Sequence, residues 1–175
     1  MSQILTSAQV AAIVDAQRPR VKAASGVDVP HELAMAIIDR ESLPRYNTLS
    51  YRREPNGTES YGLMQILVST ARGIGFTGAA TDLFLPNVGV YWGMLYLANQ
   101  LKRYKGDVTK AVAAYNAGSA RPDGKGGYIT TTGYVPFVLG RVQFWLAQAA
   151  ARPAATAGIA AVAILATLWI ARGRS

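Results

Sequence analysis

From Ala154 to Ala171 the chain runs for 18 residues without a charged side chain, between Arg152-Pro153 and the pair Arg172 and Arg174. As a helix this stretch would span about 27 Å at 1.5 Å per residue, close to the ~30 Å hydrocarbon core of a bilayer. Eight of the 18 are Ala, and seven are larger apolar residues: Ile159, Val162, Ile164, Leu165, Leu168, Trp169 and Ile170. Trp169, near the arginine-bearing end, suits an interfacial anchor. The alternative is a buried helix of a soluble domain, but a terminal helix apolar on every side has no face to offer water. Arginines flank both ends, so charge gives no orientation. The expectation is one domain over 1–151 and a C-terminal transmembrane anchor over 152–175.

Composition narrows the chemistry of the domain. The 175 residues include no Cys and one His, which excludes a disulfide framework, a catalytic thiol and a multi-histidine metal site. What remains is carboxylate chemistry, with no metal and no cofactor expected. Charged residues are 16% of the chain, against about 25% in an average soluble protein, which argues against long disorder. Fifteen basic and ten acidic residues precede Arg152, a net +5, and the three tail arginines bring the total to +8. A moderately basic domain suits an anionic polymer or a lipid surface. Arg52-Arg53 and Lys102-Arg103-Tyr104-Lys105 read as ordinary solvated charge, and no nucleic-acid motif is present, so no nucleic-acid partner is expected. Met1-Ser2-Gln3-Ile4-Leu5 lacks the basic start and continuous apolar run of an export signal, so secretion by the usual route is not expected.

The apolar periodicity is helical throughout. Ser7 to about Lys22 carries Val10, Ile13, Val14 and Val21 on one side, with Ser7 as the expected cap. Pro30 opens a second helix to Glu41, its missing N–H being harmless in a first turn. Leu43 to Tyr61, with Pro44, Asn47, Pro55, Asn56 and Gly57, reads as a long polar loop. Further helices are predicted after Ser69, over Pro86–Tyr104, from a cap at Asp107 or Thr109 to about Asn116, and over Tyr134–Ala150, with a Gly-rich loop at Ser119–Thr132. No run of alternating strand residues stands out, so an all-α domain is expected.

One carboxylate is out of place on an apolar stripe. Ile38, Ile37 and Ala34 lie three, four and seven residues before Glu41 and share its side of the helix. Burial there opposes ionisation and raises the pKa, which is what a general acid for glycosidic cleavage needs. By spacing alone Glu41 could equally be a helix-end residue facing solvent.

Three segments change that balance. Glu41-Ser42, Gly62-Leu63-Met64-Gln65-Ile66 and Ala113-Ala114-Tyr115-Asn116-Ala117-Gly118, in this order, resemble the signatures of the soluble, Slt-type lytic transglycosylases. That family shares a lysozyme-like helical fold with goose-type lysozyme. The resemblance covers roughly Ser7 to Trp145 and includes Val27-Asp28-Val29-Pro30, Asn87 to Leu97 and Gly133 to Leu139. It implies Glu41 as catalytic acid, Tyr115 and Asn116 in the groove, Tyr134 closing the cleft from the last helix, and Ser50 as a groove serine. Beside it, the residue chemistry makes Met64 an adaptable apolar wall, Gln65 a hydrogen-bonding partner for sugar amides, and Gly62 a point of close backbone approach. Packing or loop capping remains an open alternative for Tyr134 and Ser50. Tyr61 departs from the family's usual small residue, Leu67 from the Met or, in the goose type, Asp that relatives often carry, and the loop from Glu41 to Gly62 is somewhat long. His31 is read as a helix-start residue.

The resemblance implies cleavage of the β-1,4 bond from N-acetylmuramic acid to N-acetylglucosamine by a single acid/base, giving a 1,6-anhydro end. Hydrolysis would need a second carboxylate; Glu54 and Glu59 are candidates, read as solvated loop charge. A muramidase-type hydrolase and a non-catalytic, membrane-anchored binding protein are the competing readings. The expected partners are peptidoglycan glycan strands and a lipid membrane through residues 154–171. Because peptidoglycan lies outside the cytoplasmic membrane, the inner membrane of a phage virion, with other virion membrane or vertex proteins as neighbours, reconciles anchor and substrate. A bacterial cell envelope is the alternative.

Overall fold

The computed structural model describes residues 3–53 and 57–151. Among the described residues six α-helices dominate: α1 (Ser7–Ser25), α2 (His31–Ser42), α3 (Val68–Gly73), α4 (Pro86–Arg103), α5 (Val108–Ala117) and α6 (Tyr134–Ala150), with a 3₁₀ turn at Ala80–Phe84. Their starts follow local chemistry. Thr6, not Ser7, caps α1, because Thr6 and Gln9 form a reciprocal capping box: the Gln9 N–H donates to Thr6 Oγ1 at 3.2 Å and the Thr6 N–H to Gln9 Oε1 at 2.8 Å. Asp107 caps α5 by accepting from the Lys110 N–H at 3.0 Å. Pro86 occupies the first turn of α4.

α2 is the centre of the domain. Every residue from Leu33 to Asp39 is buried, because α1 covers one side of the helix and α6 another, while α4 packs along α1 and α5 along α4. Val10, Val14 and Val21 of α1, Ile37 and Ile38 of α2, Met94 and Leu97 of α4, and Val112 of α5 are wholly buried in one core. Gly93 of α4 is part of this fit: a Cβ there would stand 2.6 Å from Cβ and Sδ of Met64.

The domain is mostly helical, but the expectation of an all-α domain with a long polar loop over 43–61 is corrected by five short strands among the described residues. β1 (Ile4–Leu5) pairs with β2 (Tyr46–Asn47), and β3 (Tyr51–Arg53), β4 (Glu59–Tyr61) and β5 (Ile66–Leu67) form an antiparallel sheet in that order. Each is two or three residues long, too short for a period-two pattern to register. The register sets Arg52 opposite Ser60 and Tyr51 opposite Tyr61, so the strands put Arg52 and Ser60 on one face and the two tyrosines on the other. The expected anchor at 154–171 lies outside the described residues, as does Glu54; among the described residues no helix is long and apolar enough to cross a membrane.

Candidate active site

Glu41 sits in the last turn of α2, where the core-facing stripe meets a groove of about 540 Å³ between the β3–β4–β5 sheet and the C-terminal end of α5. Its side chain is 9% exposed. Tyr134, in the first turn of α6, donates its hydroxyl to Glu41 Oε1 at 2.7 Å. Arg52 of β3 reaches Oε2 with Nη2 at 3.3 Å. Burial raises the Glu41 pKa above its ordinary 4.5, and the Tyr134 hydroxyl, Arg52 and Arg40 pull the other way without cancelling it. Tyr134 and Tyr115 are pushed well above the usual tyrosine range, first by burial and then by the nearby Glu41 charge.

The other residues singled out from the sequence fall into three groups. Gln65, Tyr115 and Asn116 line the groove with Glu41. Tyr134 touches the acid from behind and is 2% exposed, so it supports Glu41 without forming groove wall. Met64 and Ser50 lie elsewhere. The Met64 side chain is wholly buried beneath Gly93, and only its backbone oxygen belongs to the site, accepting the Tyr115 hydroxyl at 2.8 Å. Ser50 turns its hydroxyl onto the Asn47 carbonyl at 2.8 Å, a loop-capping contact.

Several side chains are tied down by their neighbours. Gln65 holds the sheet together: Nε2 donates to the carbonyls of Ser50 (3.0 Å) and Gly62 (2.8 Å), and Oε1 accepts from Ser60 Oγ at 3.1 Å. It does so from a left-handed backbone at φ 45°. Asn116 Oδ1 accepts from the Thr131 N–H at 2.8 Å and joins the Gly-rich loop to α5. Gly62, at φ 70°, is required by packing as well as conformation, since a Cβ there would collide with the Leu83 carbonyl.

Two contributors were not visible in the sequence. Arg52, read as solvated charge, lies on the groove wall against the acid. Asp39 is wholly buried and accepts from Tyr46 Oη (2.6 Å), Arg141 Nε (2.7 Å) and Trp145 Nε1 (2.8 Å). Alternating residues of β3 could have pointed to Arg52 had the strand been recognised. A charge inside an apolar helix run was the signal for Asp39. Glu59 is directed away from the groove, accepting from Tyr51 (2.7 Å) and Tyr61 (2.9 Å) on the other face of the sheet. His31 opens α2 and pairs with Asp15 at 2.7 Å. Among the described residues no cluster could hold a metal ion.

Comparison with known proteins gives similarities of sequence, structure and family. A protein named Transglycosylase from Enterobacteria phage PRD1 is 37% identical over 67 residues, covering 38% of this chain and 23% of that protein. The crystal structure of the 70 kDa soluble lytic transglycosylase of Escherichia coli matches 74% of this chain and 18% of its own, at 26% identity and a TM-score of 0.48. The 70-kDa soluble lytic transglycosylase in complex with bulgecin A gives 25% identity, the same coverages and a TM-score of 0.46. The chain thus spans less than a quarter of the length of each of these relatives. The family model for the Transglycosylase SLT domain matches residues 20–131. That interval takes in Glu41, Gln65, Tyr115 and Asn116, and stops just short of Tyr134. A match over most of the chain, carrying the buried acid and the groove around it, means that this chain belongs to the transglycosylase SLT domain family.

Proposed function

We propose that this chain is a peptidoglycan lytic transglycosylase in which Glu41 is the single acid and base. The observation that carries the reading is that Glu41 is the only carboxylate among the described residues lining the groove, and that burial favours its protonated form. A buried carboxylic acid can give its proton to the oxygen joining N-acetylmuramic acid to N-acetylglucosamine as that bond breaks. The substrate's own acetamido group would stabilise C1, as the family implies. Glu41, now a carboxylate, would take the proton of the C6 hydroxyl as that oxygen closes onto C1, leaving a 1,6-anhydro end and restoring the acid.

Tyr134 orients the carboxyl from behind, and Tyr115 and Asn116 form the opposite wall. Ser50 and Met64 contribute through backbone oxygens and packing, not through side-chain contact with sugar. Glu59, engaged by two tyrosines on the far face, supports the single-acid reading because it is not available in the groove to position a water.

The relative from phage PRD1 supports a setting in a virion, where the apolar stretch 154–171 would serve as the membrane anchor and the enzyme would open the host wall during genome entry. Finding the protein in purified particles is the result this setting requires. The chemical test is the mass of the sugar ends released from purified peptidoglycan. Anhydro ends, one water lighter than reducing ends, are expected from the native chain and none from Glu41→Gln. Reducing ends alone would replace the proposal with hydrolysis, and no release at all would leave a binding protein.

A further inference from the structure

The two oxygens of Glu41 are not equivalent. Oε1 accepts from Tyr134, which comes from the protein interior and is itself buried. Oε2 meets Arg52 of the groove wall, whose side chain is about half exposed at 52%. With Oε1 engaged as an acceptor, the proton of the acid belongs on Oε2, the oxygen that a glycosidic linkage in the groove could approach. A guanidinium has donors only and no acceptor, so its contact with Oε2 favours the carboxylate over the acid. The cation thus opposes the protonated form that burial favours. With Arg52 drawn away, Glu41 holds its proton to higher pH.

Resting on the transglycosylase reading above, we propose that Arg52 is a latch on Glu41 that a carboxylate of the substrate opens. The natural strand carries such groups on the 3-O-lactyl arm of its muramic acid, either as the lactyl carboxylate itself or on the peptide attached to it. Drawn to that anion, the guanidinium exchanges one carboxylate partner for another, and charge stays balanced. Glu41 then takes up one proton from solvent at Oε2 and becomes the acid. A glycan without a carboxylate leaves the latch shut. Arg52 is therefore a positioning and specificity residue that acts through Glu41. It sits on a strand whose fit against Ser60 and Gln65 fixes where the guanidinium reaches.

Among the described residues, the titrating and charged groups around Glu41 are Tyr134 from α6, Tyr115 from α5, Arg40 from its own helix and Arg52 from the sheet. Of these, Arg52 is the cation at hydrogen-bond distance. Its removal should move the alkaline limb of the kcat/KM profile to higher pH, since that limb reports loss of the acid's proton in the unbound enzyme.

The experiment uses native glycan strands and the same strands with their carboxylates converted to methylamides, each assayed with the native chain, Arg52→Gln and Arg52→Lys. The native chain should prefer the native strands about tenfold, the size of one charge-assisted hydrogen bond. Arg52→Gln should lose that preference and shift the alkaline limb upward, and Arg52→Lys should restore both. Amidase-stripped strands, which keep only the lactyl carboxylate, tell which carboxylate opens the latch; a preference in either arm supports the proposal. A preference or an alkaline limb unchanged in Arg52→Gln overturns it. A native chain that releases no anhydro ends from native strands overturns the reading beneath it, before Arg52 is tested.

Discussion

Arg141 of α6 closes on Asp39 of α2 with Nη2 2.6 Å from Oδ2, although the two lie 102 residues apart in sequence. Two residues further along α2, Glu41 is bonded to Tyr134 of the same α6. The helix that carries the acid is thus joined to the last helix of the domain by two carboxylates with opposite tasks. Asp39 is saturated by three donors and locks the helix pair. Glu41 shares its two oxygens between Tyr134 and Arg52 of the groove wall.

Asp39→Asn should destabilise the domain by about 3–5 kcal/mol, because it removes the buried charge that pairs with the Arg141 guanidinium and replaces one of the two acceptor oxygens by an NH2 donor. Urea unfolding, with the midpoint lowered and the slope unchanged, is the measurement. A change within about 0.5 kcal/mol, typical of a surface site, would mean that the α2–α6 lock is not made there.

Glu41→Gln should make the chain more stable at neutral pH even as it removes activity. Burial raises the Glu41 pKa above 4.5, so the folded chain keeps a proton that the unfolded chain has already released. As pH rises from 4.5 to the folded value, stability of the native chain falls, and it then levels off. The glutamine variant has no such loss. The difference in Tm should grow in its favour through that interval, and a difference that stays flat from about pH 4 to about pH 8 contradicts a buried, proton-holding Glu41.

Tyr134→Phe deletes the hydroxyl at Oε1 and little else, since the ring is already in the core. The loss of one hydrogen bond to a charged group predicts kcat/KM lower by about 10- to 100-fold. The alkaline limb should also move upward, because that hydroxyl lowers the pKa of the acid. A fall in substrate binding with kcat and pH profile intact would instead make Tyr134 a groove residue.

How much of this was written in the sequence depends on the length over which each signal repeats. α6 spans Tyr134–Ala150 as its periodicity indicates, and α4 ends one residue early, because helices of four or five turns repeat an apolar stripe several times. The sheet that forms one groove wall was missed because its strands show no repeat at all. The same limit separates the site residues. Glu41, Tyr115 and Asn116 sit at helix ends whose neighbours are legible, and they meet in the groove. Met64 and Ser50 sit in the turns around the sheet, where a one-residue step decides whether a side chain faces the groove or the core, and neither side chain lines the groove. Gly62 and Gly89 each make room for the Leu83 carbonyl, a coincidence of three distant residues that no local pattern records. Arg52 became visible only when the register of β3 was known.

Gln65 gives the sharpest test of how that sheet is held, because its backbone and side chain work against each other. A non-glycine residue at φ 45° is strained, and glycine there would relieve it by about 1 kcal/mol. Its amide, however, makes three hydrogen bonds that fasten the Ser50 and Gly62 turns to Ser60, each contributing about 0.5–1.5 kcal/mol net. Gln65→Ala loses the bonds and keeps the strain; Gln65→Gly loses both. Both variants should be less stable than the native chain in chemical denaturation, with alanine about 1 kcal/mol worse than glycine. Equal stability of the two variants would mean that the backbone carries no strain, and a glycine variant as stable as the native chain would mean that the amide bonds do not hold the sheet. If they do hold it, both variants loosen the strand that carries Arg52, and the Glu41 pH profile should shift toward that of Arg52→Gln although position 65 makes no hydrogen bond to the acid.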